Sequence, residues 1–508
     1  MPLMYCHAKL KNISQHTVIS AHLFLPDYSP MNRDSFYPAI ACFPLLLMLA
    51  GCAPMHETRQ ALSQQTPAVQ VDTALPTALK NGWPDSQWWL EYHDNQLTSL
   101  INNALQNAPD MQVAEQRIQL AEAQAKAVAT QDGPQLDFSA DMERQKMSAE
   151  GLMGPFALND PAAGTTGPWY TNGTFGLTAG WHLDIWGKNR AEVTARLGTV
   201  KARAAEREQT RQLLAGSVAR LYWEWQTQAA LNTVLQQIEK EQNTIIATDR
   251  QLYQNGITSS VEGVETDINA SKTRQQLNDV AGKMKIIEAR LSALTNHQTK
   301  SLKLKPVALP KVASQLPDEL GYSLLARRAD LQAAHWYVES SLSTIDAAKA
   351  AFYPDINLMA FLQQDALHLS DLFRHSAQQM GVTAGLTLPI FDSGRLNANL
   401  DIAKAESNLS IASYNKAVVE AVNDVARAAS QVQTLAEKNQ HQAQIERDAL
   451  RVVGLAQARF NAGIIAGSRV SEARIPALRE RANGLLLQGQ WLDASIQLTG
   501  ALGGGYKR

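Results

Sequence analysis

Leu396–Asn461 reads LNANLDIAKAESNLSIASYNKAVVEAVNDVARAASQVQTLAEKNQHQAQIERDALRVVGLAQARFN, with no proline and a single glycine, Gly454. Ala191–Asn255, AEVTARLGTVKARAAEREQTRQLLAGSVARLYWEWQTQAALNTVLQQIEKEQNTIIATDRQLYQN, is a second stretch of the same kind. A helix rises about 1.5 Å per residue, so each stretch spans about 100 Å. That length exceeds any ordinary globular helix and implies a coiled coil or a helical tube. Leu214, Val218, Leu221 and Trp225 alternate steps of four and three, the spacing of a coiled-coil seam. The seam then admits Gln228 and Asn232, as expected of helices that line water on one side.

Both stretches stop at a glycine, in Asn255-Gly256 and Ala462-Gly463. Glycine reaches the left-handed conformation that closes a helix, so each is expected to turn there into a hairpin. The return helices are predicted over about 258–297 and 465–499, with a kink at Pro476.

The two hairpins are the ends of a larger repeated unit. Asn107-Ala108-Pro109-Asp110-Met111-Gln112 is echoed by Arg327-Arg328-Ala329-Asp330-Leu331-Gln332, and Pro134-Gln135-Leu136-Asp137 by Pro354-Asp355-Ile356-Asn357. Leu183-Asp184-Ile185-Trp186 followed by Arg190 parallels Leu388-Pro389-Ile390-Phe391 followed by Arg395, and Tyr253 to Ile257 parallels Phe460 to Ile464. Each copy opens with a helical stretch (about 96–131, then about 321–351), continues with two strands, and ends in a helical hairpin.

The strands follow from period-two alternation. In Gly173–Ile185 the odd positions are Phe175, Leu177, Ala179, Trp181, Leu183 and Ile185, against Thr174, Gly176, Thr178, Gly180, His182 and Asp184. Leu136, Phe138, Ala140 and Met142 share one face of a strand from Gln135, and Met380, Val382, Ala384, Leu386, Leu388 and Ile390 one face of another. The strand at 355–363 alternates less cleanly, because Met359 and Phe361 fall on its polar face. Such strands suit the wall of a membrane barrel, and equally a half-buried sheet.

The chain divides accordingly. Residues 1–30 read as an extension ahead of a start at Met31, and 31–51 as a signal peptide, with Met31-Asn32-Arg33 before the apolar run Ala39–Gly51. That run is too short to span a bilayer, which takes roughly 20 residues. It ends in Leu49-Ala50-Gly51-Cys52, the pattern at which bacterial lipoproteins are cleaved and lipidated on the cysteine, and Ala53 in place of Asp sorts the product to the outer membrane. Residues 52–95 form the anchored N-terminal segment. The first repeat covers 96–300 (strands about 135–147 and 173–185, hairpin about 188–298), and a linker with Pro306, Pro310 and Pro317 covers 301–320. The second repeat covers 321–500 (strands about 355–364 and 380–390, hairpin about 393–499), leaving a tail at 501–508. Loop 148–172, rich in Gly, Pro and Ala, is expected to form a hairpin tip.

Four short strands cannot close a barrel, for which about eight is the minimum. Open edges are not tolerated in lipid, where each unpaired backbone group costs several kcal/mol. A membrane reading therefore requires several chains, eight strands from two or twelve from three.

Composition supplies no rival chemistry. The net charge of -2 leaves no footprint for nucleic acid. The cysteines are Cys6, Cys42 and Cys52, so no disulfide or thiolate site is possible beyond Cys52. The histidines show no metal spacing, no cofactor motif is present, and Gly503-Gly504-Gly505 follows a helix rather than a strand, so it is not a phosphate loop. No catalytic residue is assigned, and the chain reads as a non-enzyme.

The chain resembles the TolC-like outer-membrane efflux factors, in their lipoprotein branch, from Cys52 to its end. The resemblance rests on Trp88-Trp89 with Asp94 and Leu97, Asp184-Ile185-Trp186-Gly187, Arg327-Arg328-Ala329-Asp330-Leu331, Ala347–Pro354 and Pro389–Arg395. It implies an α+β membrane protein, a homotrimer whose chains each give four strands to one shared twelve-stranded β-barrel above a long periplasmic tube of coiled helices. It further implies a lipid anchor at Cys52, docking of a periplasmic adaptor coupled to an inner-membrane pump, and passive export of drugs, dyes or other toxic small molecules. Tyr253, Gly256, Phe460 and Gly463 are the expected docking and gating residues of the tip, with ordinary helix capping the plainer reading of each. Glu262, Glu265, Arg469 and Glu472 are expected near the periplasmic entrance, with a solvated helix face the plainer reading of Glu262 and Glu265. Two positions depart from the family pattern: Ala329 stands where proline is usual, and Arg469 where some members carry an acid, which would weaken cation binding. Trp181, Tyr170 and Trp186 suggest an interfacial aromatic belt, with Trp186 alternatively packed in the junction. A duct for type I protein secretion and a lipid-anchored coiled-coil tether without a pore are the alternatives.

Overall fold

In order, the chain forms α1 (Asn95–Asn107), α2 (Pro109–Ala129), β1 (Gln135–Lys146), β2 (Trp169–Leu183), α3 (Lys188–Gln254) and α4 (Ser260–Leu294). The second copy follows with α5 (Ala329–Ala350), β3 (Asp355–Ala366), β4 (Gln378–Thr387), α6 (Arg395–Asn461) and α7 (Gly467–Ala501). The computed structural model describes residues 55, 61–64, 83–148, 159–160, 165–166, 169–257, 259–296, 302–311, 324 and 326–506. The extension, the signal peptide, Cys52 and most of loop 148–172 lie outside the described residues, as does much of the linker.

Glycines bound both long helices. Gly187 (φ 77) and Gly394 (φ 85) cap their starts, and Gly256 (φ 72) and Gly463 (φ 73) follow their ends. Between them α3 and α6 are each 67 residues, and the return helices α4 and α7 each 35. The duplication is therefore in step residue for residue from the starting glycine onward, at an offset of 207. The motif match at the strand-to-helix junction set Leu183 against Leu388, two residues out of this register. The two junctions differ locally. Asp184 accepts from the amides of Asn189 and Arg190, whereas Asp392 accepts from those of Gly394 and Leu396.

The stretch expected as one helix over 96–131 breaks at Ala108, which is extended (φ -62, ψ 135). The cause is Pro109, which begins α2 without needing an amide hydrogen and pushes its predecessor out of the helical region. In α7 the helix runs on across Pro476.

The strands make one antiparallel sheet in the order β1-β2-β3-β4, with β1 and β4 at its edges. Register pairs Phe138 with Leu177, Leu177 with Leu362, and Leu362 with Met380, so one face is apolar from edge to edge. The other carries Asp137, Thr178, Phe361 and Gly381 in a matching row. Phe361 belongs there because its ring fills the space a Cβ on Gly381 would take, 2.8 Å away. β4 ends at Thr387, short of the expected 390, where Pro389 has no amide to pair.

The helices form a layer with the same property. Toward the tip α4 packs on α3, and α7 on both α3 and α6, giving the order α4-α3-α7-α6 with α4 and α6 outermost, while toward the sheet α2 packs on α3 and α5 on both α3 and α6. Two main cores repeat the duplication. Trp89, Leu97 and Ile101 pack on Val218, Tyr222 and Trp225, while Leu331 and Val338 pack on Tyr414, Val418 and Val425, and α7 closes both. Each such side chain, fully buried, stabilises the fold by about 1.5–3 kcal/mol. Gln228, expected to line water, is instead buried at 7% exposure, and Asn232 is half-buried.

The linker is held by glutamines. Gln96 exchanges two hydrogen bonds with the backbone of Lys305, Gln226 bonds Lys305 and Val307, and Gln488 donates to the carbonyls of Leu309 and Pro310.

Candidate pore wall and helical tip

The sheet has the two faces of a barrel wall. Leu136, Phe138, Met142, Met380, Val382 and Leu386 are exposed on the apolar side. The opposite side bears Asp137, Ser139, Asp141, Thr174, Asp365 and Gln363, all suited to water. Thr174 donates to Asp365 at 3.0 Å, and Gln363 donates to Gln379 at 2.8 Å across β3 and β4. Among the described residues, the outer edges of β1 and β4 have no strand partner in this sheet.

Of the expected aromatic belt, only Trp181 faces outward, its Nε1 donating to the Asp132 carbonyl at 2.9 Å. Tyr170 lies on the polar face. Trp186 packs in the junction, stacked on Tyr353 with ring centroids 5.0 Å apart and donating to the Pro354 carbonyl.

At the far end of the helices the two turns are alike. Gly256 donates to the Tyr253 carbonyl and Ile257 to that of Leu252; Gly463 donates to Phe460 and Ile464 to Arg459. These paired bonds satisfy the last carbonyls of each helix. Tyr253 (57% exposed) and Phe460 (43%) project beside them, with Ile257 and Ile464 exposed at the turn itself. A Cβ on Gly256 or Gly463 would meet nothing within 4 Å, so the backbone angle alone demands glycine.

Arg469 donates to Glu472 at 2.7 Å, one turn along α7. The Glu472 bond and charge, and then the charges of Asp249 and Glu262, hold the guanidinium more firmly protonated than usual. Three of the four residues expected near the entrance, Glu262, Arg469 and Glu472, thus share one electrostatic neighbourhood within a chain. Glu265 is exposed one turn further along α4. Asp249 was missed from sequence; it sits four residues before Tyr253, one turn above the hairpin, and accepts from Thr266 Oγ1 at 3.3 Å. Further up, Arg474 reaches Glu241 of α3 at 3.3 Å, tying α7 to its neighbour.

Among the described residues no cluster of His, Cys, Asp or Glu could hold a metal, and no helix is long and apolar enough to cross a membrane. The arrangement offers a two-faced wall, a long helical layer and a charged tip.

Comparison with known proteins agrees with this geometry. The family model described as outer membrane efflux protein matches residues 100–297 and 320–504, one block per structural copy. The chain is 99% identical over 478 residues to the multidrug resistance outer membrane protein MdtQ of Escherichia coli O157:H7, covering 94% of this chain and all of that one. It is 36% identical over 466 residues to the multidrug resistance outer membrane protein MdtP of Shigella flexneri, covering 91% and 94%. The crystal structure of the CmeC outer membrane channel of Campylobacter jejuni superposes with a TM-score of 0.76 at 18% identity, covering 90% of this chain and 95% of that one.

Proposed function

This chain belongs to the outer membrane efflux protein family, and from that premise we propose that three copies close into a passive export duct for drugs, dyes and other toxic small molecules. The protein is an outer-membrane channel and not an enzyme, in a family that works with a periplasmic adaptor and an inner-membrane pump.

One observation carries the trimer. Both layers of the protomer stop at open edges, β1 and β4 in the sheet and α4 and α6 in the helices. A head-to-tail copy that pairs β1 with β4 sets α4 beside α6, so a single rotation closes both layers. The exposed edge side chains suit this. Val261, Val264 and Ile268 on α4 lie at about the same height above the tip as Leu450, Val452 and Leu455 on α6. Twelve strands leave an aqueous bore, whereas eight would be filled by side chains.

In this assembly Tyr253, Gly256, Phe460 and Gly463 meet the adaptor and move when the tip opens, and Glu262, Glu265, Arg469 and Glu472 border the entrance. Cys52 carries the lipid, following a signal peptide that starts at Met31.

The test is mass in detergent together with single-channel conductance of the purified protein in planar bilayers. A trimer with discrete conductance is the expected result. A stable monomer without conductance would overturn the duct.

A further inference from the structure

The lipid-facing side of the barrel wall changes character at its distal end, away from the helices. β1 alternates strictly, so Arg144 and Lys146 continue the outward row of Leu136, Phe138 and Met142. In register, Met142 lies opposite Gly173, Arg144 opposite Thr171, and Lys146 opposite Trp169. Trp169 is 51% exposed on this same side. Glu143 and Gln145 point the other way, and among the described residues neither Arg144 nor Lys146 has an ion-pair partner. Two cations with no ion-pair partner among the described residues, and a tryptophan, therefore sit where the apolar band ends.

The loop between β3 and β4 thickens that band just below them. Leu369 and Leu372 fold over Gly173, at 3.2 and 3.4 Å from where its Cβ would be, and Phe373 packs on Phe175 with centroids 5.6 Å apart. Gly173 and Phe175 belong to the apolar face, so the loop wraps the outside of the wall and not the bore. Phe373 is nevertheless 82% exposed, and Leu369 is exposed beside it. Arg374 is occupied by Asp371 at 3.0 Å. The order along the strand is an apolar knob, then a guanidinium, then an ammonium flanked by an indole.

This order matches an anionic lipid standing in the membrane, with acyl chains on the knob and its head at the cations. Trp181, which faces outward on the same strand twelve residues after Trp169, marks the proximal interface. Twelve strand residues tilted as in a barrel cover about 30 Å of height, the distance between two interfaces. We propose that Arg144, Lys146 and Trp169 form a binding site for the phosphate-bearing head of an outer-leaflet lipid, with Leu369 and Phe373 receiving its chains. Arginine forks match phosphate oxygens, and the ammonium adds a point charge. The proposal rests on the outer-membrane orientation given above, with the helices in the periplasm.

The experiment uses the full-length protein in neutral detergent. It is offered equal amounts of bis-phosphorylated lipid A and its dephosphorylated form, and native mass spectrometry counts the lipid retained on each oligomer. Wild type should prefer the phosphorylated form by about 30-fold, from two cations each worth roughly fivefold at an anionic surface. Arg144→Gln/Lys146→Gln should lose the preference while oligomeric mass and conductance stay unchanged, which separates failure of the site from failure of the channel. Arg144→Lys should keep most of it. Equal retention of both lipids by wild type, or an unchanged preference in the double variant, would overturn the proposal. Displacement of the lipid by millimolar inorganic phosphate would also overturn it, since the site would then serve a free anion.

Discussion

Arg328 grips Asp330 with both arms of its guanidinium, Nε to Oδ1 at 3.0 Å and Nη2 to Oδ2 at 2.7 Å, across the point where the second copy's helix must break. Arg328 is extended (φ -104, ψ 118), as Ala108 is in the first copy. There Pro109 enforces the break; here Ala329 does not. The fork, together with bonds from Arg328 to the carbonyls of Ala421 and Ala501, supplies what proline supplies in the first copy. Ala329→Pro should therefore fit the existing backbone and raise stability by about 0.4–1 kcal/mol through the unfolded state. Asp330→Asn should lower it by about 1–3 kcal/mol, since it leaves a mostly buried guanidinium with a weaker acceptor. Thermal unfolding of the two variants decides this; a loss of stability in Ala329→Pro would show that the break is not already set.

Gly256 and Gly463 present a cleaner case, because no neighbour crowds either position. Alanine at each should cost about 1–2 kcal/mol, the penalty of a left-handed backbone for a residue with a Cβ. The loss should be confined to the tip. Hydrogen exchange ought to quicken at the last turns of α3 and α6 while the amides around Val218 and Val425 hold. Protection lost throughout the helices would mean that the turns anchor the whole tube.

The sequence made the large features legible and the small ones less so, for identifiable reasons. Helix length, the turn glycines and the strand faces are written in spacing, and Leu136, Phe138 and Met142 needed only a period of two. Trp169 escaped because the strand start was placed after it, at Gly173, within a Gly- and Pro-rich stretch that resembles loop. Asp249 escaped because a single acid on a long polar helix has no pattern until Arg469 is folded against it. Gln228 misled, since a glutamine on a seam reads as water-facing and here is buried with α3 against α7. The glutamines that hold the linker left no signal, for their partners are backbone carbonyls and amides more than seventy positions away.

Tyr337 gives the fold a dependence on alkaline pH. It donates to Glu206 at 2.9 Å, and partial burial followed by that carboxylate pushes its pKa up to about 12. An acid whose folded pKa lies above its unfolded one stabilises the fold fully below the unfolded value, near 10, and loses that contribution as pH rises toward 12. Wild type should therefore lose more thermal stability between pH 9.5 and roughly 11.5 than Tyr337→Phe does. Parallel curves for the two proteins would rule out this residue as a source of the slope.

Cys52 tests what drives assembly. If barrel and tube edges close the trimer, the lipid is only an anchor. Cys52→Ser should abolish incorporation of labelled palmitate yet leave the oligomeric mass in detergent unchanged. A monomeric Cys52→Ser protein would place the lipid among the assembly contacts.

Arg469 bears on which ions pass. It stands 207 residues after Glu262, so the duplication sets a base in one copy against an acid in the other, and the fold brings the two into one neighbourhood with Asp249 and Glu472. The cation offsets part of the acidic charge that each protomer contributes to the tip. Arg469→Glu removes that offset and adds repulsion against Glu472, so it should both loosen the tip and favour cations. Each unit of charge in partly screened water is worth roughly 1 kcal/mol and this substitution changes two, so the cation-to-anion permeability ratio should rise about 30-fold. Arg469→Gln should fall between the two. Reversal potentials across a salt gradient measure the ratio directly. An unchanged ratio in Arg469→Glu, with conductance intact, would place the selectivity-determining constriction elsewhere, with the acidic inner face of the sheet at Asp137, Asp141 and Asp365 as the next place to look.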